Sequence, residues 1–226
     1  MSKLKPSIAI DGPSGSGKST TAQVLAKRLN LLHLNTGAMY RAMAVAMSKA
    51  GVDLSDARAI EENLASFQLE VKLEDGKQIN LVNSQDMDPW LYSSEASLAA
   101  SALSKNSALR AYLVEIQREL AAKEGIILDG RDIGTVVLPD ADIKFFLTAD
   151  PEERARRRFK DLEQAGEDIE FAEVLEDILA RDKQDSTRAD SPLRKAEDAI
   201  EINSTTLSFE QVISLMIEHL QERDLI

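Results

Sequence analysis

One stretch near the start of the chain, IAIDGPSGSGKST at residues 8–20, constrains the fold more than any other part of the sequence. Its first three residues are apolar and predict a short strand. Residues 12–19 then satisfy the pattern G-x-x-x-x-G-K-[ST] in full. Apolar residues follow at helical spacing, at Ala22, Leu25, Ala26 and Leu29. A strand, a glycine-rich loop and a helix in this order predict a phosphate-binding loop in an α/β fold.

The residue types of this loop suit the binding of a nucleoside triphosphate. Glycines let successive backbone N–H groups turn towards phosphate oxygens, and the helix that follows presents its positive end to the same anion. Lys18 is placed to reach the β- and γ-phosphates of ATP, and Ser19 to hold a magnesium ion. The predicted ATP-binding residues are Gly12, Pro13, Ser14, Gly15, Ser16, Gly17, Lys18, Ser19 and Thr20.

The rest of the chain predicts that this loop belongs to a central parallel sheet. LLHLN (31–35) indicates a second strand, and a helix from about 37 to 50 follows it. GIILDG (125–130) and IKFFLTA (143–149) are apolar at consecutive positions, which is typical of parallel strands covered on both faces. AIEIN (199–203) predicts a last short strand.

A different pattern interrupts this order in the middle of the chain. FQLEVKL and INLVN read as strands on either side of EDGKQ, in which Asp75-Gly76 is a tight-turn signal. An antiparallel hairpin of this kind predicts a small accessory lobe, and Trp90 is expected in its core. The helix that follows, with leucines at 109, 113 and 120, has Ser107 as its predicted N-cap.

Three further helix boundaries are predicted downstream. Asp150, Pro151 and Glu153 are arranged to open a long helix, with Asp150 as its N-cap. The polar stretch LEQAGEDIEF (162–171) predicts a break before another helix begins. Ser208 is the predicted cap of the C-terminal helix.

Composition narrows the classes of partner. The net charge of −12 argues against a nucleic-acid binder or an anionic-membrane binder, because both need a basic face. The chain has no cysteine, which fits a reducing compartment. No stretch approaches the roughly 18 apolar residues of a membrane span, and the N-terminal apolar run is too short for a signal peptide. We therefore expect a cytoplasmic protein. We also expect a monomer, because the sequence shows no long apolar heptad pattern.

The arginines point to phosphoryl transfer rather than to binding alone. Such a site positions two anions in line and neutralises the charge that spreads over the transferred group, so it needs several cations from different segments. The strings D-x-x-G and N-K-x-D, typical of GTPases, are absent. A solvated helix face, or surface salt bridges, is the alternative interpretation of each arginine taken singly. The candidates are Arg41, Arg110, Arg131, Arg154, Arg157, Arg158, Arg181 and Arg188.

Three charged residues lie at the end of one of the buried strands or just after it. Asp129 ends the strand at 125–130, where a carboxylate can support magnesium through a water molecule. Arg131 and Asp132 come next, at the carboxyl edge of the sheet. Ligands of open α/β folds bind at this edge, so a role in substrate binding is favoured over a structural one.

Several motifs together resemble the bacterial cytidylate kinase family. They are DGPSGSGKST, NTGAMYRAMA at 35–44, LDGRDIGTVVLPDADIKFFLTA at 128–149, and then ERARRR and RDKQDSTR in that order. The first motif is common to many phosphate-binding-loop proteins, whereas TGAMYR and the long DGRDIGTVV segment are highly specific in combination. The resemblance extends from about residue 7 to the final helix.

The resemblance implies a three-layer P-loop kinase fold that transfers the γ-phosphoryl group of ATP to CMP or dCMP with magnesium. In this family a single kinase domain carries a CMP-binding insert and a mobile helical lid. The core would comprise about 1–62 and 102–226, the antiparallel insert about 63–101, and the lid about 155–171.

The resemblance also assigns roles to individual residues. Thr36, Arg41 and Arg131 are implied to hold the CMP phosphate. Ser101, Arg110 and Asp132 are implied to read the cytosine, and Tyr40, Arg181 and Asp185 to border the ribose. The implied catalytic residues, which stabilise the donor and acceptor phosphates, are Lys18, Arg131, Arg188, Arg154, Arg157 and Arg158.

The chemistry of cytosine agrees with these roles. Its exocyclic amine is a donor that suits the Asp132 carboxylate, and its carbonyl and ring nitrogen are acceptors that suit Arg110 and a hydroxyl. UMP has a carbonyl where CMP has the amine, so some discrimination is expected. Many relatives have aspartate and serine where this chain has Asn35 and Thr36, and Thr36 retains the hydroxyl.

Two other hypotheses stay open from the sequence. The chain could be a kinase for another small acceptor, such as a different nucleotide or a hydroxy acid. It could also be a regulatory module that binds ATP without transferring phosphate, although binding alone does not need so many arginines. A panel of acceptors separates the first, and nucleotide binding without turnover would indicate the second.

Overall fold

A computed structural model of the chain describes residues 5–74, 76–123, 125–164 and 166–226. Strands and helices alternate over most of this length. A short 3-10 turn lies at Asp88–Trp90, and a π-helix lies at Ile133–Val137. The remaining elements are β1 (Ser7–Asp11), α1 (Lys18–Leu29), β2 (Leu32–Asn35), α2 (Thr36–Lys49), α3 (Ala57–Leu64), β3 (Leu69–Glu74), β4 (Lys77–Val82), β5 (Gln85–Asp86), α4 (Ser94–Leu103), α5 (Ser107–Ala121), β6 (Ile126–Gly130), β7 (Ile143–Thr148), α6 (Pro151–Gln164), α7 (Phe171–Thr187), β8 (Ile200–Asn203) and α8 (Phe209–Glu222).

The chain divides into two compact units. The first takes in the described residues up to Leu31 together with Ile127–Ile226, and the second is Leu32–Ile126. The larger sheet has five strands, and the four in the first unit lie in the order β6-β1-β7-β8. β1 runs parallel to β7, and β7 runs parallel to β8. The predicted α/β fold with a central parallel sheet is therefore confirmed.

The core of the first unit is built on the apolar strands. Phe145 of β7, with Ile8 and Ile10 of β1, is almost completely shielded from solvent. Apolar residues of α1 and α8 complete the same cluster. Strands covered in this way keep no polar alternation, which is why the sequence shows continuous apolar runs there. A smaller cluster joins α6 and α7 through Ala155, Leu162, Val174 and Ile178.

The second unit contains the predicted hairpin. β3 and β4 pair antiparallel, with Leu69 opposite Val82, and β5 adds a third short strand to this smaller sheet. Helix α2 packs against α4 and against β4. Three methionines of α2 are fully buried, at Met39, Met43 and Met47. Their flexible side chains fill the irregular space that a hairpin and several helices leave between them.

The structure corrects two of the predictions from sequence. The N-cap of α5 is Asn106, not Ser107, because the side-chain oxygen of Asn106 accepts the N–H of Leu109 at 2.9 Å. Asparagine and serine are comparable caps, so the local sequence does not choose between adjacent ones. Trp90 is exposed rather than in a core, and the Nζ of Lys49 lies 2.9 Å from its ring centroid.

The break in the second half of the chain is confirmed. Helix α6 begins at Pro151 and ends at Gln164, and α7 begins at Phe171, where Glu170 and Glu173 form a capping box. Ser208 caps α8 as predicted. Asp75 of the predicted turn lies outside the described residues. The limits of the insert at about 63–101 and of the lid at about 155–171 remain predictions.

None of the helices within the described ranges is long and apolar enough to cross a membrane.

Candidate active site

The glycine-rich loop connects β1 to α1 in the first unit, as the sequence predicts. Gly12 has a φ of +156°, and a Cβ on this residue would lie 2.0 Å from the carbonyl oxygen of Leu147. Any side chain at this position would therefore collide with β7. Gly15, at φ +74°, lies close to the backbone of Arg154. A Cβ on this residue would be 3.0 Å from the Arg154 carbonyl oxygen. These two close approaches explain why the loop is rich in glycine.

Lys18 is the buried cation of this loop. Its Nζ donates to the carbonyl oxygen of Pro13 at 2.9 Å. Burial lowers the pKa of the Lys18 ammonium well below its ordinary value; Arg131 acts in the same direction, whereas Asp129 and Asp185 act to raise the pKa. A phosphate group beside Lys18 would favour the charged form, so the site is built to gain from binding an anion.

Ser19 and Asp129 meet at the ends of α1 and β6. The Ser19 hydroxyl donates to the Asp129 carboxylate at 2.6 Å, and Asp129 is 2% exposed. Among the described residues there is no group of three or more histidine, aspartate or glutamate side chains arranged to hold a metal ion.

A second buried aspartate fixes the segment after β6. Asp11, the last residue of β1, accepts the backbone N–H of Ile133 at 2.8 Å and that of Gly134 at 2.7 Å. Burial raises the pKa of the Asp11 carboxyl to about 6, although both backbone hydrogen bonds act to lower it. These bonds tie the first turn of the π-helix to the strand that leads into the glycine-rich loop. Single π-turns of this kind are frequent at functional sites.

The residues before this π-helix form a network of charges with α7. The Nε of Arg131 donates to Asp185 at 2.7 Å, and both side chains are largely buried. Arg188 lies 3.6 Å from Asp132 and donates through its Nε to the carbonyl oxygen of Ser191 at 2.6 Å. Burial acts to raise the pKa of Asp185, but Arg131, Arg188 and Arg181 outweigh it, so this pKa lies below its ordinary value.

Sequence reasoning placed Arg131 and Asp132 at the carboxyl edge of the sheet. Arg181 and Asp185 lie on α7, whereas Arg188 follows the end of this helix at Thr187 and has an extended backbone. The structure brings these groups into one cluster with Lys18 and Asp129.

The three arginines predicted on α6 have different surroundings. Arg154 is buried and binds Asp182 and the carbonyl oxygens of Ser14 and Ala149. Arg157 binds Glu153 and both oxygens of Ser204. Arg158 is half-buried and forms no ion pair with any residue that the structure describes. The first two therefore hold α6 against its neighbours in this structure.

In the second unit, the two predicted substrate arginines each lie over a tyrosine ring. The guanidinium of Arg41 is 5.8 Å from the ring centroid of Tyr92. That of Arg110 is 5.6 Å from the ring of Tyr40, and Arg110 is 4% exposed.

The other predicted residues of this unit lie at or within helices. Thr36 is buried at the start of α2, where the side-chain oxygen of Asn35 caps the helix by accepting the N–H of Ala38 at 3.0 Å. Asparagine thus supplies the cap in the motif NTGAMYR. Ser101 lies within α4.

Three residues of these clusters were not predicted from the sequence. Asp11 carried a usable signal, because it ends a buried strand just as Asp129 does. Asp182 and Tyr92 carried none, since each acts on an arginine that is distant in the sequence. Only folding shows which partner they take.

Comparison with known proteins agrees with the motifs. Residues 8–222 match the family model described as cytidylate kinase. A cytidylate kinase from Caldicellulosiruptor bescii is 47% identical over 95% of this chain and 95% of its own. A cytidylate kinase from Bacillus velezensis is 43% identical over 97% of this chain and 98% of its own. Among solved structures, an uncharacterized protein from Eubacterium ventriosum has a TM-score of 0.50 at 14% identity, covering 96% of this chain and 99% of that one, which supports the fold alone.

Proposed function

The chain belongs to the cytidylate kinase family, a family of nucleoside monophosphate kinases that phosphorylate CMP with ATP, and from this premise we propose the finer details of its reaction. The acceptors are CMP and dCMP, which become CDP and dCDP. Transfer is in line, assisted by magnesium and by a cluster of arginines, and forms no covalent intermediate with the enzyme. The observation that carries this proposal is the buried cluster of Lys18, Arg131 and Asp185 beside the glycine-rich loop.

The donor side of the proposal rests on the glycine-rich loop. ATP would bind along residues 12–20, with its β- and γ-phosphates at Lys18. A hydroxyl and a carboxylate oxygen are ligands that suit magnesium, and Ser19 and Asp129 supply one of each at 2.6 Å from one another. Ser19 would bind the ion directly and Asp129 through water. The ion would neutralise charge on the two terminal phosphates.

The acceptor side is proposed from the resemblance and from the chemistry of the residues. In the first unit, Arg131 would bind the CMP phosphate, Asp132 would accept the cytosine amine, and Arg181 and Asp185 would border the ribose. In the second unit, Thr36 and Arg41 would bind the phosphate, Arg110 and Ser101 would bind the base, and Tyr40 would border the ribose.

The reaction itself needs little covalent chemistry from the protein. An oxygen of the CMP phosphate attacks the γ-phosphorus, the bond to the β-bridging oxygen breaks, and ADP leaves with the electron pair. Lys18 and Arg131 stabilise the charge that spreads over the transferred group. Arg188 and Arg158 are the further cations that we propose for the phosphates. The contacts of Arg154 and Arg157 with protein groups do not support such a role for them, which stays a prediction.

We also propose a cellular location and an oligomeric state for the enzyme. A kinase that draws on pools of ATP and CMP is expected in the cytoplasm, and as a monomer. Cell fractionation and sedimentation of the purified protein test these two points.

A panel of acceptors tests the proposed substrate. With ATP and magnesium, ADP release is expected to be fast with CMP and dCMP, slower with UMP, and slower still with AMP and GMP. Equal rates with all of them, or with none, would overturn the assignment. Omitting magnesium should abolish turnover.

Replacing Asp132 sharpens this test. Asp132→Ala should reduce kcat/KM for CMP by about 100-fold or more, because the cytosine amine loses a charged acceptor, and it should leave ATP affinity nearly unchanged. Kinetics with each substrate varied in turn supply both numbers. A loss of ATP affinity would instead place Asp132 at the donor site.

A further inference from the structure

The contacts of Arg154 form a buried link between the glycine-rich loop and α7. Its Nε donates to the carbonyl oxygen of Ala149 at 2.8 Å, and its Nη1 donates to that of Ser14 at 3.1 Å. The two terminal nitrogens also form a fork with Asp182, at 3.1 Å to Oδ1 and 2.6 Å to Oδ2. One guanidinium thus holds three segments of the chain at once.

This link differs from the surface ion pairs of the same helix. The side chain of Arg154 is 4% exposed and that of Asp182 is 25% exposed, whereas Arg156 and Glu152 are 60% and 68% exposed. Exposed pairs of the latter kind contribute little. A two-pronged pair shielded from water is stronger and fixes the orientation of both groups. Loss of the Asp182 carboxylate would leave Arg154 buried without its counter-charge.

The link acts on one peptide group of the loop. The carbonyl of Ser14 and the N–H of Gly15 belong to the same planar trans peptide, so they point in opposite directions. Holding the Ser14 carbonyl on Arg154 therefore turns the Gly15 N–H away from Arg154. Backbone N–H groups are what such a loop offers to phosphates. Gly15 also lies close to the Arg154 backbone, since a Cβ built on Gly15 would be 3.0 Å from the Arg154 carbonyl oxygen.

The other end of the link lies on the helix that carries the acceptor-side charges. Asp182 follows Arg181 directly and precedes Asp185 by less than one turn of α7. The loop that would bind ATP is thus joined to the helix proposed to border CMP, within the first unit.

We propose that Asp182 is a positioning residue for phosphoryl transfer, which acts through Arg154 to hold the Ser14–Gly15 peptide in the orientation that binds the phosphates of ATP. The proposal rests on the proposed function in that ATP is the donor, but not on the identity of the acceptor. A residue that only stabilised the fold would change the amount of folded enzyme. A positioning residue changes the affinity of the folded enzyme for one substrate.

The test replaces Asp182 by asparagine, which keeps the shape of the side chain but turns an amide NH₂ towards the guanidinium. Asp182→Asn is expected to raise KM for ATP about tenfold, to leave KM for CMP within twofold, and to lower kcat. Asp177→Asn is the matched control, because Asp177 is an exposed aspartate of the same helix. It should behave as the unmodified enzyme does.

Two further measurements keep the result decisive. Binding of ADP, measured by calorimetry on protein whose folded state is checked by circular dichroism, should weaken in Asp182→Asn to the same extent as KM for ATP rises. Arg154→Lys retains the charge but not the fork, and should show the same selective loss. Unchanged ADP binding in both variants, or equal increases of KM for ATP and CMP, would overturn the proposal.

The ADP measurement also separates this proposal from the proposed acceptor. If the unmodified enzyme bound ADP but did not phosphorylate CMP, the acceptor assignment would fail. Weaker ADP binding in Asp182→Asn, relative to Asp177→Asn, would still support the positioning role.

Discussion

The two units hold their arginines in different ways. In the first unit, Arg131 and Arg154 are bound by the carboxylates of Asp185 and Asp182 at 2.7 and 2.6 Å. In the second unit, Arg41 and Arg110 lie over tyrosine rings at 5.8 and 5.6 Å. Both arrangements concern cations to which the resemblance to the family assigns phosphates or the base.

The difference matters for what each arginine can do. An ion pair engages the N–H groups of a guanidinium, fixes its position and leaves a costly buried charge if one partner is removed. A ring contact engages only the face of the guanidinium, so the N–H groups in its plane are directed at other acceptors. Arg110, for example, also donates to the carbonyl oxygen of Ser104 at 3.4 Å. The ion pairs therefore fix Arg131 and Arg154 in position, whereas the ring contacts cover one face of Arg41 and Arg110.

The largest effect is expected from breaking an ion pair of the first unit. Arg131→Met should lower the free energy of unfolding by about 3 kcal/mol, because Asp185 stays buried without its closest cation. It should also reduce kcat/KM about 1,000-fold, because the cation that we propose for the transferred group is lost. Urea unfolding and steady-state kinetics measure the two effects. Arg156→Met, at an exposed pair of α6, is the control, and equal stability of the two variants would contradict the comparison.

A carboxylate without an arginine should respond to pH in the opposite sense from Asp185. The pKa of Asp11 is raised to about 6, so its contribution to stability is fully present below the unfolded-state value of 3.8 and is lost as the pH rises through about 6. The pKa of Asp185 is lowered, so its contribution is present above 3.8 and is lost as the pH falls below that value.

Urea unfolding between pH 4 and 7 measures the Asp11 effect. The stability of the unmodified enzyme relative to Asp11→Asn should decrease by up to about 3 kcal/mol over this range, since each pKa unit is worth about 1.4 kcal/mol. Asp142→Asn is the control, because Asp142 also accepts a backbone N–H of β1, from Ser7 at 2.7 Å, but is exposed. A difference between the unmodified enzyme and Asp11→Asn that stays constant with pH would contradict the prediction.

A smaller effect on stability is expected from removing an arginine of the second unit. Arg41→Met should lower the free energy of unfolding by less than Arg131→Met does, because the ring contact with Tyr92 that it removes contributes only about 0.5–1 kcal/mol. KM for CMP should nevertheless increase roughly 10- to 100-fold, as is usual for a lost hydrogen bond between charged groups, while KM for ATP stays constant. If Arg41→Met were destabilised as strongly as Arg131→Met, the two units would not differ as described.

The smallest effect is expected from the ring itself. Tyr92→Ala should raise KM for CMP by about two- to fivefold, because an exposed cation–π contact contributes only about 0.5–1 kcal/mol to holding Arg41. Tyr92→Phe keeps the ring and should match the unmodified enzyme. The comparison would weaken if the phenylalanine and alanine variants had the same KM, since the ring would then be irrelevant.

The features that sequence predicts well are those with a local physical cause. The order strand, glycine-rich loop and helix was predicted because the loop motif and the apolar periodicities all lie between residues 8 and 29. The strands β6 and β7 were predicted because burial on both faces demands continuous apolar runs. The hairpin of β3 and β4 followed from its turn signal. The short helices α3 and α4 were not predicted.

The contact partners of the arginines could not be predicted from local sequence. Their number and positions predicted a site for two anions, and the family match agrees with phosphoryl transfer. The sequence could not say that Arg154 binds Asp182 and the Ser14 carbonyl, because these partners are 28 and 140 residues away. It also offered the same interpretation for Arg154, Arg157 and Arg158, which the structure gives three different surroundings.

The sequence by itself thus determined the phosphate-binding loop, the parallel sheet that carries it and the family, because these depend on patterns of adjacent residues. Only the tertiary structure decided which carboxylate or ring each arginine contacts. Electrostatic and ring contacts act through space, and in a buried site their strength depends on distance and on exclusion of water, neither of which is written in the order of the residues.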